Sequence, residues 1–401
     1  MTAEAVSVAQ RKSDEHRAVG VACGAHALHD GYTDLIYVML PIWQNEFGLG
    51  FAALGLMKTV FSGTLAAFQI PSGFLAERFG SPVVLALGTA LAGFGYCLAG
   101  LSNGFPLLVG SLFVAGLGAS TQHPLASSLI AQAFAGPRSL RALGTYNFAG
   151  DIGKMTMPAA ASLLFIILPW REAVALLGGI GLLAAIIIFV AMPRFRGEAA
   201  APQKGKAVGR TPGKLHQYGF PLLLSVGVID SATRMAFLTF LPFVLTAKGA
   251  SLPTVGLALT LVFAGGAAGK LVCAFIGARI GAVATVWLTE TVTALGIIAL
   301  LPLSLDAALV LLPVVGIALN GTSSVLYGSV PDLVAPAKRQ RAFSIFYTGT
   351  IGAGAVSPAI YGLLGDAVGV NSALIVVAAV VLVTLPITLA LRPALLSAPA
   401  S

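Results

Sequence analysis

Runs of about 20 consecutive apolar residues recur along the whole chain and are separated by short polar segments. A helix of that length crosses the ~30 Å hydrocarbon core of a bilayer. The pattern predicts twelve spans, at about residues 19–45, 52–75, 82–102, 105–134, 140–167, 172–193, 217–246, 252–278, 283–303, 307–334, 340–364 and 370–391. The predicted fold class is therefore an all-α membrane protein with twelve transmembrane helices.

One long polar segment, at residues 194–216, interrupts this pattern in the middle of the chain. It is basic, rich in Gly and Pro, and without helical periodicity, which is typical of a linker. Six spans lie on each side of it. The predicted organisation is an N-terminal tail at 1–18, a six-helix bundle at 19–193, the linker, a second bundle at 217–392 and a C-terminal tail at 393–401.

The two halves also resemble each other at an offset of 200 residues. Asp30 aligns with Asp230, and the sequence Arg78-Phe79-Gly80 is echoed by Arg279-Ile280-Gly281. This register predicts two pseudo-symmetric bundles that arose by duplication, an architecture found in transporters that alternate access to a midplane site.

Composition and charge agree with a membrane protein. The chain is 57% hydrophobic and 9% charged, with a mean hydropathy of +0.92, values that exclude an ordinary soluble domain. Most Lys and Arg residues lie in the tails and in alternate loops, so both termini are expected in the cytoplasm and the chain is expected to be a multi-pass protein of the cell inner membrane. The net charge of +8 reflects this asymmetry, and no nucleic-acid partner is expected.

Span one carries titratable side chains within the bilayer, where burying an ionisable group is energetically unfavourable. His26, Asp30 and Asp34 follow one another at intervals of four residues, so they share one helix face, and His29 lies beside them. Such residues rarely persist in a span without a partner or a task. We expect these four residues to couple transport to protons. The alternative is a buried ion pair that only positions helices.

The loop after span two carries a known family pattern. Residues Gly73 to Leu85 read GFLAERFGSPVVL, which resembles the signature of the major facilitator superfamily, with Glu77 in place of its Asp. The resemblance implies the twelve-helix fold, an alternating-access mechanism and a conformational lock. The residues expected to form that lock or to gate the transporter are Gly73, Glu77, Arg78, Gly80 and Asp230.

A narrower resemblance covers roughly the first 160 residues. The spacing His26-x-x-x-Asp30 and the sequence GLGASTQHP, from Gly116 to Pro124, are similar to the fosmidomycin-resistance-like branch of that superfamily. The resemblance implies export of a small organic solute by a proton antiporter. Span five departs from the branch, because it contains Asp151 and Lys154.

Several polar residues within the spans are candidates for binding the solute. Asn147, Asp151 and Lys154 share a face of span five, where Asp151 and Lys154 either neutralise each other or line the central cavity. Arg234 is suited to a carboxylate or phosphonate, and it also aligns with Asp34 as a possible gate. The full set of expected substrate-binding residues is His123, Gln122, Tyr146, Asn147, Asp151, Lys154, Arg234, Lys270 and Asn320. Lys58 and Glu290 are expected to snorkel to a membrane surface.

No catalytic, metal or cofactor motif is present in the sequence, and its three cysteines have no metal spacing, so neither an enzyme nor a cofactor is expected. The sequence predicts a proton-coupled secondary transporter, working as a monomer in the lipid bilayer, that exports a small polar or anionic organic solute. Two alternatives stay open: a proton-coupled importer of an organic anion, and a non-transporting membrane receptor or scaffold.

Overall fold

The structure is a computed structural model that describes residues 3–134, 137–193, 216–335 and 338–396. All regular secondary structure in these residues is helical. The helices are α1 (Ala3–Phe47), α2 (Phe51–Phe79), α3 (Ser81–Gly100), α4 (Phe105–Ala119), α5 (Gln122–Ala133), α6 (Pro137–Ile167), α7 (Trp170–Ala191), α8 (His216–Ala247), α9 (Leu252–Ile280), α10 (Ala282–Leu300), α11 (Leu305–Leu333), α12 (Arg339–Val368), α13 (Val370–Leu382) and α14 (Thr384–Leu396). The predicted linker at 194–216 lies outside the described residues except for its last position, and the predicted tail at 393–401 is described only to residue 396.

The helices reproduce the predicted spans. Eleven stretches of the described residues are long and apolar enough to cross a membrane; α4 and α5 form one of them, Phe105–Ala133, and α13 and α14 another, Val370–Leu395. Helix α1 is absent from this set because polar side chains in its middle lower its hydropathy. With α1, the chain has the twelve spans that the apolar pattern predicts.

The chain forms two compact units. The first contains the described residues up to Val38 and from Val60 to 193, and in it α3 packs against α4 and α7. The second contains Met39–Thr59 and the described residues from 216 onward, and in it α9 packs against α11 and α8 against α12. The end of α1 and the start of α2 thus belong to the second unit, which the apolar pattern does not reveal.

The repeat is visible in matching turns. Gly80 connects α2 to α3 with φ of 88°, and Gly281 connects α9 to α10 with φ of 84°. A side chain is strained in this left-handed region, so each turn favours glycine. Equivalent helices of the two halves therefore begin in the same way, and the residues around them can be compared position by position.

Candidate functional site

The site in the first unit begins with a close approach of α1 and α6. A Cβ atom on Gly153 would overlap the carbonyl oxygen of Ala27, and one on Gly150 would lie 2.6 Å from Oδ2 of Asp30 and 2.7 Å from Cε1 of His26. Glycine at these two positions lets α6 pack against the polar face of α1. The sequence between Asn147 and Lys154 thus supplies both the space for the buried cluster and one of its charges.

His26 is fixed in orientation and in tautomer. It is 3% exposed, its ring stacks on Tyr146 at a centroid distance of 3.9 Å, and its Nδ1 lies 2.7 Å from the Tyr146 carbonyl oxygen. A carbonyl oxygen only accepts, so Nδ1 carries the hydrogen and donates it. In the neutral ring the lone pair of Nε2 is then directed toward Asp30, where Nε2 lies 3.3 Å from Oδ2 and makes no hydrogen bond to any residue that the structure describes.

Asp30 lies at the centre of three basic groups. Besides His26, the Lys154 Nζ lies 3.3 Å from its Oδ2, and the His123 Nε2 lies 3.7 Å from its Oδ1. His123 reaches this position because span four breaks between α4 and α5: Pro124 has no N–H to donate to the Ser120 carbonyl, and α5 starts afresh at Gln122. The cluster of His26, Asp30, His123 and Lys154 therefore joins helices α1, α5 and α6.

The composition of this cluster favours a proton or an anionic ligand over a metal ion. The ligand atoms of His26, Asp30 and His123 lie within 4.8 Å of one another, close enough to share a cation. However, the Lys154 ammonium already occupies the cationic position beside Asp30. With both imidazoles neutral, the carboxylate and the ammonium cancel; a proton on either imidazole makes the cluster positive, which suits binding of an anion.

Other predicted residues lie around this cluster. His29 is 2% exposed and is tied to α3, where its Nε2 donates to the Thr89 hydroxyl at 2.9 Å. Asp34 is 6% exposed and lies within electrostatic range of Lys154. Gln122 is buried beside the Tyr146 hydroxyl, and neither atom of its amide makes a hydrogen bond among the described residues.

The three candidates of span five, Asn147, Asp151 and Lys154, differ in their relation to the cluster. Lys154 pairs with Asp30 on α1, so the interpretation in which Asp151 alone neutralises it is insufficient. Asp151 is half-buried and adds to the field at Lys154. Asn147 is exposed and does not join the cluster.

The second unit holds its own polar cluster, centred on the position equivalent to Asp30. Asp230 is 4% exposed and interacts with Arg234 one turn later on α8, and both groups also interact with Glu290 on α10. Among the described residues Arg234 makes no hydrogen bond and no ion pair within 4 Å, although it is half-buried. Lys270 is half-buried on α9, and Asn320 donates from its amide to the Gly316 carbonyl within α11.

Glu290 is the residue that sequence reasoning missed. It and Lys58 are each 1% exposed, so the expectation that they snorkel to a surface is wrong: both side chains are buried along their whole length. The repeat register contained the missing signal. Counted from the matching turns at Gly80 and Gly281, Glu290 occupies the position equivalent to Thr89, the residue that contacts His29 in the first half.

The loop with the family pattern lies at the surface. Glu77 and Arg78 are exposed, and the Arg78 guanidinium lies 5.4 Å from the centre of the Phe79 ring. Gly73 is half-buried within α2, and Gly80 makes the turn described above. Their expected role in a conformational lock stays a prediction.

Comparisons with known proteins agree with this architecture. The family model described as Major Facilitator Superfamily matches residues 22–226 and again 222–400, once in each half. The chain is 24% identical to the fosmidomycin resistance protein of Escherichia coli (strain K12), over 87% of this chain and 86% of that protein. It is 27% identical to a probable sulfoacetate transporter of Cupriavidus necator, over 90% of this chain and 89% of that protein.

Solved structures show the same fold. A bacterial homologue of the human lysosomal transporter Spinster, in an inward-facing and occupied conformation, superposes with a TM-score of 0.80 at 15% identity, over 96% of this chain and 98% of that chain. The nucleoside transporter NupG superposes with a TM-score of 0.76 at 13% identity, over 94% of this chain and 99% of that chain.

Proposed function

Because the chain belongs to the Major Facilitator Superfamily, and is thus a multi-pass membrane transporter of small molecules, we propose that it is a proton-coupled secondary transporter that exports a small polar or anionic organic solute. Asp30, which is shared between His26, His123 and Lys154, carries this proposal. We place the chain in the cell inner membrane, with both termini in the cytoplasm and the monomer as the working unit.

The proton is proposed to bind between His26 and Asp30. In the neutral ring, the lone pair of Nε2 and those of Oδ2 face each other at 3.3 Å. A proton placed between them turns this contact into a charge-assisted hydrogen bond. His29 and Asp34 are proposed to complete the proton-coupling residues, as neighbours of this pair on α1.

Lys154 is proposed to link the proton to the solute. While His26 is unprotonated, Asp30 is held mainly by the Lys154 ammonium. Protonation of His26 gives Asp30 a second cationic partner, so the strength of the Lys154–Asp30 ion pair, and with it the availability of the Lys154 ammonium to an anionic group, depends on the proton. The remaining expected substrate residues, His123, Gln122, Tyr146, Asn147, Asp151, Arg234, Lys270 and Asn320, are proposed to contribute polar contacts.

Flux measured in liposomes tests the proposal. The purified chain is reconstituted with the membrane potential clamped, a pH gradient is imposed, and uptake of radiolabelled sulfoacetate and fosmidomycin is followed. These two probes are chosen because they appear in the names of the two relatives. Antiport predicts that the solute accumulates in the more acidic compartment, because it moves against the protons. The absence of any response to the gradient, in liposomes that still exchange solute, would contradict proton coupling.

A second candidate function is proton-coupled import of an organic anion. The relation between His26 and Lys154 favours it, because a proton that weakens the Lys154–Asp30 ion pair would promote binding of an anion in the same state. Import by symport predicts accumulation in the more alkaline compartment. The same liposome measurement therefore separates the two candidates by the sign of accumulation.

A further inference from the structure

The polar cluster of the second unit consists of Asp230, Arg234 and Glu290, and its charges do not balance. It contains two carboxyl groups and one guanidinium. Asp230 is 4% exposed and Glu290 is 1% exposed, so water does not screen them. With both carboxyl groups ionised, the cluster would carry a net negative charge in the interior of a membrane protein, where an uncompensated charge is strongly destabilising.

The hydrogen bonds around Glu290 satisfy its carboxyl group only in part. Its Oε1 makes no hydrogen bond within the described part of the chain. The Thr322 hydroxyl on α11 interacts with Glu290, and it also lies 2.7 Å from the Thr289 hydroxyl, to which it donates. Thr289 in turn donates to the Thr285 carbonyl at 3.0 Å. Since a hydroxyl has only one hydrogen to give, the Thr322 hydroxyl is shared between Thr289 and Glu290 and does not by itself satisfy an ionised carboxylate.

A proton on the carboxyl pair removes both difficulties. It cancels the excess negative charge and lets one carboxyl group donate a hydrogen bond. Arg234 on α8 and Tyr327 on α11 are the other charged or titratable groups that interact with the pair among the described residues. Arg234 can balance one carboxylate but not two, so the other keeps its proton.

We propose that Asp230 and Glu290 together hold one exchangeable proton in the second half of the chain, with Arg234 balancing the remaining carboxylate. This inference deepens the proposed function, because it adds a second proton-binding position to that of His26 and Asp30. It also assigns Glu290, which the proposed function does not use, to the binding of protons.

Infrared difference spectroscopy of the purified full-length chain tests this inference. A protonated carboxyl group has a carbonyl stretching band that an ionised one lacks. Spectra are recorded near neutral pH for the wild type, Glu290→Gln and Asp230→Asn. Each variant should lose one protonated carboxyl per chain, because a single carboxylate beside Arg234 is already balanced. Retention of the band by either variant, or no such band in the wild type, would overturn the inference.

Two further variants change the number of protons in the opposite direction. Arg234→Gln removes the balancing cation, so the band should grow by one protonated carboxyl; an unchanged band overturns the inference. If Glu290→Gln does not fold, the double variant Asp230→Asn/Arg234→Gln leaves Glu290 in a neutral site. That variant should retain the band, and loss of the band would contradict a proton on Glu290. The exposed Glu172 provides a matched control, since Glu172→Gln should leave the band unchanged.

The spectra require neither a solute nor a gradient. If solute flux proves independent of protons while the band behaves as described, the proposed function fails and the proton-binding pair stands. If solute flux is coupled to protons and the band is absent, the proposed function stands and the proton-binding pair of Asp230 and Glu290 fails.

Discussion

The two halves of the chain bury an aspartate at the same repeat position and surround it differently. Asp30 meets an ammonium and two imidazoles, whereas Asp230 meets one guanidinium and a second carboxyl group, that of Glu290. The first cluster has an excess of basic groups and the second an excess of acidic groups. The two halves thus share a carboxylate at the same repeat position and differ in the chemistry around it.

The largest expected effect follows from removing the first of these carboxylates. Asp30→Asn leaves Lys154 and the two histidines without their common partner, so it should abolish accumulation of solute against its gradient while exchange of solute persists. Liposome flux with and without a pH gradient measures both activities. Asp306→Asn, at an exposed carboxylate, is the control and should behave as the wild type. Accumulation at the wild-type level in Asp30→Asn would remove Asp30 from proton coupling.

The contrast between the basic groups of the two halves can be measured by solute binding. Lys154→Ala and Arg234→Ala should each weaken binding of an anionic solute by about 1.5–3 kcal/mol, the range for hydrogen bonds to charged groups. Thermal-shift titration gives the affinities, because a ligand that binds the folded state raises its apparent stability. Arg279→Ala, at an exposed cation, should leave affinity unchanged. Unchanged affinity in both test variants, with normal folding, would make them purely structural cations.

The close packing of α1 and α6 is specific to the first cluster and offers a smaller test. Gly150→Ala places a methyl group 2.6 Å from Oδ2 of Asp30, and such overpacking typically costs about 1–3 kcal/mol. We expect a lower melting temperature together with slower gradient-driven flux. Gly144→Ala on the same helix meets no atom within 4 Å and should match the wild type. If Gly150→Ala changes stability but not flux, the geometry of the His26–Asp30 pair is not critical for coupling.

The smallest expected effect concerns two equivalent helix starts. The N–H groups of Phe51 and Ala52, at the start of α2, donate to the Asp366 carboxylate on α12 at 2.6 and 2.9 Å. The start of α9 is capped locally by Ser251, which accepts from the Thr254 N–H at 3.4 Å. Loss of a cap costs about 0.5–2 kcal/mol, and a charged acceptor with two short bonds lies at the upper end. Asp366→Ala should therefore lower the melting temperature more than Ser251→Ala does, and the reverse order would show that the local cap dominates.

Most of the fold follows from the sequence because length and hydropathy nearly determine a membrane helix. The four-residue spacing of His26, Asp30 and Asp34 likewise predicts that they share one face of α1. The identity of the partners is not, because the rotation of α6 about its axis depends on glycines that pack against Ala27 and Asp30. For this reason Lys154 was recognised as a candidate, but its pairing with Asp30 was not.

Glu290 shows a different limit of sequence reasoning. Its distance from the end of its span suggested a surface position, yet the packing of α10 against α11 and its interaction with Asp230 on α8 bury it completely. Depth along a helix says nothing about the direction in which a side chain points. Comparison across the repeat supplies that direction, since Glu290 occupies the position of Thr89, which contacts His29 on α1.

The polar face of α1 has a consequence for the synthesis of the chain. Helix α1 leaves the ribosome before α6, yet the carbonyl that orients His26 belongs to Tyr146, 120 residues later. At ~5–20 residues per second, roughly 6–24 seconds pass before that partner is made. During this interval α1 is a poor transmembrane segment by composition, so it must stay beside the insertion machinery or at the membrane interface. A chain that stalls before α6 would consequently present an α1 whose buried polar groups lack the Tyr146 carbonyl and the Lys154 ammonium.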